Sequence, residues 1–170
     1  KASTLGDNVY TGKGADQVTL TAGVRDTFVL KAATDSQIGD TDKSGKITIA
    51  GDEVNAAAPA GFQQTIDTIT TFVAGGLATT DRLDVTNYAF AGAQRGVVDV
   101  SAIVTNATNL TSIADLFAAP AGDRGLAVSL IGGHTYVFID ANKDGNFTAD
   151  DDSIIKLVGV AALGETDINF

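Results

Sequence analysis

The chain has 170 residues and a formal net charge of −10, with 21 acidic against 11 basic residues, one His and no Cys, Met or Trp. That balance argues against nucleic acid as a partner. The lack of Cys excludes disulfides, thiolate nucleophiles and Cys-bound zinc, and a single His134 excludes multi-His metal sites within one chain. Hydrophobic residues at 44% against 19% charged place it among globular chains, and no apolar run approaches the roughly 18 residues of a membrane span. Gly 19 with Pro 2 suggests many tight turns between short strands.

The first pattern opens the chain. Leu5-Gly6-Asp7-Asn8-Val9-Tyr10 is echoed by Gly12-Lys13-Gly14-Ala15-Asp16-Gln17-Val18-Thr19-Leu20, with Asp7 and Asp16 nine residues apart. A looser third turn follows at Gly23-Val24-Arg25-Asp26-Thr27-Phe28. A nine-residue Gly-x-Gly-x-Asp-x-apolar period is the signature of a parallel β-roll. Gly permits the tight turn and exposes carbonyls, Asp supplies a carboxylate, and the apolar residue points inward. Ca²⁺ takes six to eight such oxygens. Asp7, Gly12, Gly14, Asp16 and Asp26 are therefore candidate cation-site residues.

The second pattern is Asp40-Thr41-Asp42-Lys43-Ser44-Gly45-Lys46-Ile47. Asp40, Asp42 and Ser44 hold positions 1, 3 and 5 of an EF-hand-type loop, and Lys46 stands at position 7, which ligates through its carbonyl. Gly51 at position 12 has no side-chain ligand, so a one-residue expansion brings Asp52 or Glu53 into that role. Asn55 to Gly61 reads as a loop.

Strands are predicted over 16–20, 26–30, 66–73, 82–86, 97–100, 126–131, 135–139 and 153–158. The spacing of Leu110, Ile113, Ala114 and Phe117 predicts one helix, capped by Asn109 or Thr111 and ended by Pro120 and Gly122. Leu126 to Ile139 reads as a hairpin with His134 at its turn.

The third pattern follows that hairpin. Asp140, Asn142 and Asp144 take positions 1, 3 and 5, Gly145 the sharp turn, Asn146 the carbonyl ligand, Phe147 the anchor, and Asp151 position 12, with Asp150 and Asp152 as substitutes. Five carboxylates within residues 140–152 repel one another unless a cation lies among them. The preceding Thr135 to Ile139 is a strand, so these are EF-hand-type loops without the flanking helices. No Gly-x-Ser-x-Gly elbow or other catalytic constellation is present, and the chain reads as non-enzymatic.

Gly12-Lys13-Gly14-Ala15-Asp16 with its echo, and Asp26-Thr27-Phe28-Val29-Leu30, resemble the RTX (repeats-in-toxin) calcium-binding family. Ile66-Asp67-Thr68-Ile69-Thr70-Thr71-Phe72 through Asp81-Arg82-Leu83-Asp84-Val85 resembles the segment after such repeats, and Asp167-Ile168-Asn169-Phe170 resembles the tails of type I secretion substrates. The inserts around 35–62 and 89–122 depart from the short form of that pattern.

The resemblance implies an RTX β-roll remnant over 1–30 and a β-rich calcium-binding and secretion domain over 31–170 with one or two short helices. It implies export by a type I machinery, an extracellular location, and a chain unfolded in the calcium-poor cytosol. The Ala/Thr/Val/Gly-rich composition is similar to bacterial surface-layer proteins, which implies a surface or adhesin-like parent with self-association or cell-surface polysaccharide as partners. The alternative is the folding module of an exported metalloprotease or lipase. With no Met and a repeat already running at its start, the chain is expected to be a C-terminal piece of a larger protein.

Overall fold

A computed structural model describes residues 6–36, 66–104, 112–149 and 151–170. The protein is mainly β. The strands are β1 (Asn8–Val9), β2 (Gln17–Thr19), β3 (Thr27–Val29), β4 (Asp67–Thr70), β5 (Arg82–Asp84), β6 (Val97–Asp99), β7 (Ser112–Ile113), β8 (Leu126–Ile131), β9 (His134–Ile139), β10 (Phe147–Thr148), β11 (Ser153–Leu157) and β12 (Ile168–Asn169). All eight expected strands are present, most of them trimmed at the ends. The loop of residues 55–61 and the whole 40–53 pattern, with Asp40, Asp42, Ser44, Lys46 and Asp52, lie outside the described residues.

Successive strands from β1 to β5 alternate between two sheets. The first sheet has the order β1-β3-β5-β12 and is parallel throughout. The second has the order β2-β4-β11-β9-β8-β6, with parallel pairs at both edges and an antiparallel β11-β9-β8 meander at its centre.

Register stacks like on like. Val9, Phe28, Leu83 and Ile168 form one apolar column, and Val18, Ile69 and Leu157 another. Both belong to the core between the sheets, which also takes Leu20, Leu30, Val137, Ile139 and Ile155. Residues from both ends of the chain thus share one core.

A second cluster lies on the other face of the six-stranded sheet, with Ala127, Tyr136, Phe138, Ile154, Phe117 and Phe147. Strands β8, β9 and β11 are therefore covered on both faces, which is why they are near-continuous apolar runs rather than alternating ones. The β8–β9 turn is made by Gly132 and Gly133 at φ 60° and 83°. Two consecutive positive φ values are the type I′ geometry that matches strand twist. His134 is the first residue of β9, and its Nδ1 accepts a hydrogen bond from the Gly159 N–H at 3.1 Å.

Over the described residues 112–117 the expected helix does not form; Leu110 and the cap candidates Asn109 and Thr111 lie outside the described residues. Residues 112–113 pair with β10 and 114–117 are turns, with Asp115 in the left-handed region at φ 55°. The N–H groups a helix would use internally are taken elsewhere: Asp115 donates to Asn146 Oδ1 at 3.0 Å and Phe117 to the Gly145 carbonyl at 3.2 Å. Leu116 and Phe117 still reach the second cluster, so apolar spacing survives without helical backbone. Among the described residues the helices are 3₁₀ turns of three residues.

Phe138 is fully buried and meets Phe147 edge-to-face at 5.0 Å between ring centres. Phe138→Ala should lower unfolding free energy by about 3–5 kcal/mol. Urea denaturation checks this, and a loss under 1 kcal/mol would place the second cluster outside the cooperative fold.

Candidate metal centre

Residues 140–152 leave β9 and return as β11, anchored in both cores. Ala141 packs against the inter-sheet core, and Phe147 and Ala149 against the second cluster. Asp140 is fully buried; its Oδ1 accepts the Asp144 N–H and its Oδ2 the Gly145 N–H, both at 3.1 Å. Asn142 Oδ1 accepts the Asp144 N–H at 3.0 Å, and Asp144 Oδ1 accepts the Asn146 N–H at 2.8 Å. Alternate side chains are thus turned inward by the loop's own amides, as an Asx-rich loop favours.

The reversal needs positive φ at Lys143 (65°) and Gly145 (81°). Gly145 has a second constraint: the position of a Cβ there lies 2.8 Å from Asp123 Oδ2. Asp123 is a carboxylate from outside the loop that the sequence spacing did not reveal.

Asp151, expected at position 12, is exposed, and Asp152 is turned inward instead. Asp152 accepts the Ala141 N–H at 2.9 Å and the Thr148 N–H at 2.7 Å, closing the loop on itself. Asp150 lies outside the described residues. Burial raises the Asp140 carboxyl above its ordinary range and pushes Asp152 up to about 6, with Asp140's charge adding to the effect on Asp152. Among the described residues, no group of three or more His, Cys, Asp or Glu side chains is gathered closely enough to hold a metal ion. The loop arranges oxygens; closing them on a cation would also draw on backbone carbonyls and Asn142.

The repeat residues fall on the two sheets separately. Asp7 and Asp26 precede β1 and β3 of the first, and Asp16 precedes β2 of the second. Gly12 and Gly14 turn the chain between β1 and β2. Asp7 and Asp16 are half-buried, whereas Asp26 is fully buried. Asp26 accepts the Asp7 N–H at 2.8 Å and the Thr21 N–H at 2.7 Å.

Three further aspartates, which the repeat spacing did not single out, behave alike. Asp81 accepts from Asp26 and Val73, Asp67 from the Asp16 N–H and the Thr11 hydroxyl, and Asp167 from Gly75, Gly76 and Gly164. Asp67 and Asp81 share an Asp-x-apolar signal at a strand start, Asp67-Thr68-Ile69 and Asp81-Arg82-Leu83, whereas Asp167 directly precedes Ile168 of β12. A cleft of about 290 Å³ is lined by Val97, Leu130 and Glu165, and by Gly164, whose N–H donates to Asp167.

No protein-family model matches this chain, and no curated protein matches it.

Burial pushes Asp67 up to about 7 and raises Asp81. A carboxyl whose folded pKa exceeds its unfolded value holds its proton better in the folded state. Its stabilising contribution is complete below the unfolded value near 3.8 and is lost as pH rises through about 7. In EDTA the melting temperature should therefore fall by roughly 5 °C between about pH 5 and pH 8, and Asp67→Asn should flatten that slope. Melts across pH check this; a temperature that rises over the same interval would contradict it.

Proposed function

We propose that this chain is a calcium-binding, non-catalytic module of an exported bacterial surface protein of RTX type. The observation that carries the reading is the 140–152 loop, where Asp140, Asn142 and Asp144 present alternating oxygens held by backbone amides between two buried strands. Hard oxygen donors and the absence of thiolate favour Ca²⁺ over softer metals. The strands that alternate between two parallel-edged sheets every nine or ten residues, at Asn8, Gln17 and Thr27, support a β-roll for the start of the chain.

Calcium that binds only the folded state stabilises it by mass action, about 2.7 kcal/mol at a hundredfold excess over Kd. That linkage couples cation supply to folding, which suits a protein that meets millimolar calcium only outside the cell. Export by type I machinery, a surface-layer or adhesin-like parent, and self-association or polysaccharide binding are parts of the proposal that rest on the family resemblance. Among the described residues no helix is long and apolar enough to cross a membrane.

Asp144 is exposed, so Asp144→Ala should leave the melting temperature in EDTA nearly unchanged while weakening calcium affinity at least tenfold by titration calorimetry. Asp140→Ala should remove calcium binding and also lower stability in EDTA, because the buried Gly145 N–H loses its acceptor and the Asp144 N–H loses one of its two. Calcium affinity unchanged in both variants would remove this loop as the site.

A further inference from the structure

We infer that the two-sheet coil is locked in register by a file of buried aspartates that accept backbone N–H groups, so that it holds its fold without a bound cation and Asp26 is a staple rather than a metal ligand. The strands of the coil are only two to four residues long, too short to fix their own pairing. Something must hold each turn to the next.

Asn8, Thr27 and Arg82 are register partners across β1, β3 and β5, and an aspartate precedes each of them. The Asp7 N–H donates to Asp26 Oδ1, and the Asp26 N–H donates to Asp81 Oδ1, each at 2.8 Å. The second oxygen of each reaches a turn: Asp26 Oδ2 takes the Thr21 N–H and Asp81 Oδ2 the Val73 N–H. The other sheet repeats the device. Gln17 and Thr68 are partners, and the Asp16 N–H donates to Asp67 Oδ1 at 2.8 Å while Thr11 donates to Oδ2. Each carboxylate therefore joins one rung to the next and ties down a connecting turn at the same time.

The chemistry is exclusive at these positions. Asp26, Asp67 and Asp81 have no accessible surface, and both oxygens of each already accept a hydrogen bond. Turning Asp26 toward a cation would orphan two backbone donors in the interior, which costs more than an exposed loop pays for the same movement. Asp140 is as buried as Asp26, but its two donors, Asp144 and Gly145, belong to its own loop beside the exposed Asn142 and Asp144, whereas the donors to Asp26 come from separate turns of the coil.

The experiment is hydrogen exchange on the full chain in EDTA and in millimolar calcium, with melts of Asp26→Asn in both. The expected result is strong protection of peptides covering 6–29 and 67–84 already in EDTA, with any gain in calcium no larger there than over 126–139. The Asn variant keeps one acceptor and sets an amide against a donor, so its melting temperature should fall by roughly 5 °C or more, equally with and without calcium. Coil amides that exchange freely in EDTA and gain protection with calcium would overturn the inference, as would a loss for Asp26→Asn confined to calcium. If that variant does not fold, the exchange of the unmodified chain decides alone. Calcium bound at the 140–152 loop would raise protection across the whole cooperative fold, so protection of the coil in EDTA decides this inference and Asp144→Ala tests the loop separately.

Discussion

The interaction on which this fold depends is the hydrogen bond from a backbone N–H to a buried aspartate. An isolated carboxylate in the interior is costly, and it becomes tolerable only when its lone pairs are occupied. Asp26, Asp67, Asp81, Asp140, Asp152 and Asp167 all meet that condition with donors on both oxygens. Asp is suited to the task because its reach is short and it offers two acceptor atoms, so one side chain can join two backbone segments. Asn offers one acceptor and a donor that faces the wrong partner. The turns need such clamps because strands this short contribute few ladder bonds.

The same kind of clamp acts on either side of residues 37–65, which lie outside the described residues. Ser36 Oγ accepts the Asp67 N–H at 2.7 Å and donates to the Ile154 carbonyl. Asp35, one residue earlier, takes the N–H groups of Lys31 and Ala32. The chain at Ser36 is thus tied to β4 and β11, and Val18 and Ile69 are paired beside it.

Strands were legible where burial is two-sided. Leu126 to Ile131, His134 to Ile139 and Ser153 to Leu157 are apolar runs because one sheet separates two cores. Strands β1, β7, β10 and β12, of two residues each, carry no periodicity and were missed. The spacing of Leu110, Ile113, Ala114 and Phe117 suggested a helix because an apolar pattern says which residues go inward, not where backbone donors go; Gly145 and Asn146 captured those donors. At the 140–152 loop the positions of Asp140, Asn142, Asp144 and Gly145 could be read directly from spacing, since an Asx-Gly turn is local. The inward carboxylate after it could not. Asp151 and Asp152 are neighbours in sequence, and the start of β11 decides which one turns inward.

Aspartate therefore carries two meanings in this sequence, and composition alone cannot separate them. A charge of −10 with clustered Asp suggests cation ligands throughout. The structure divides them by which amides the carboxylate holds: Asp26, Asp67 and Asp81 join separate turns of the coil, whereas Asp140 and Asp152 hold amides within the 140–152 loop, beside the open Asp144. In the proposed reading, the loop keeps the open side chains of Asn142 and Asp144 where an ion can enter, while Asp140 and Asp152 hold its own amides in place. A staple of the coil must be closed to water, since water would compete for the amides it holds, and the very short strands there leave the register to it.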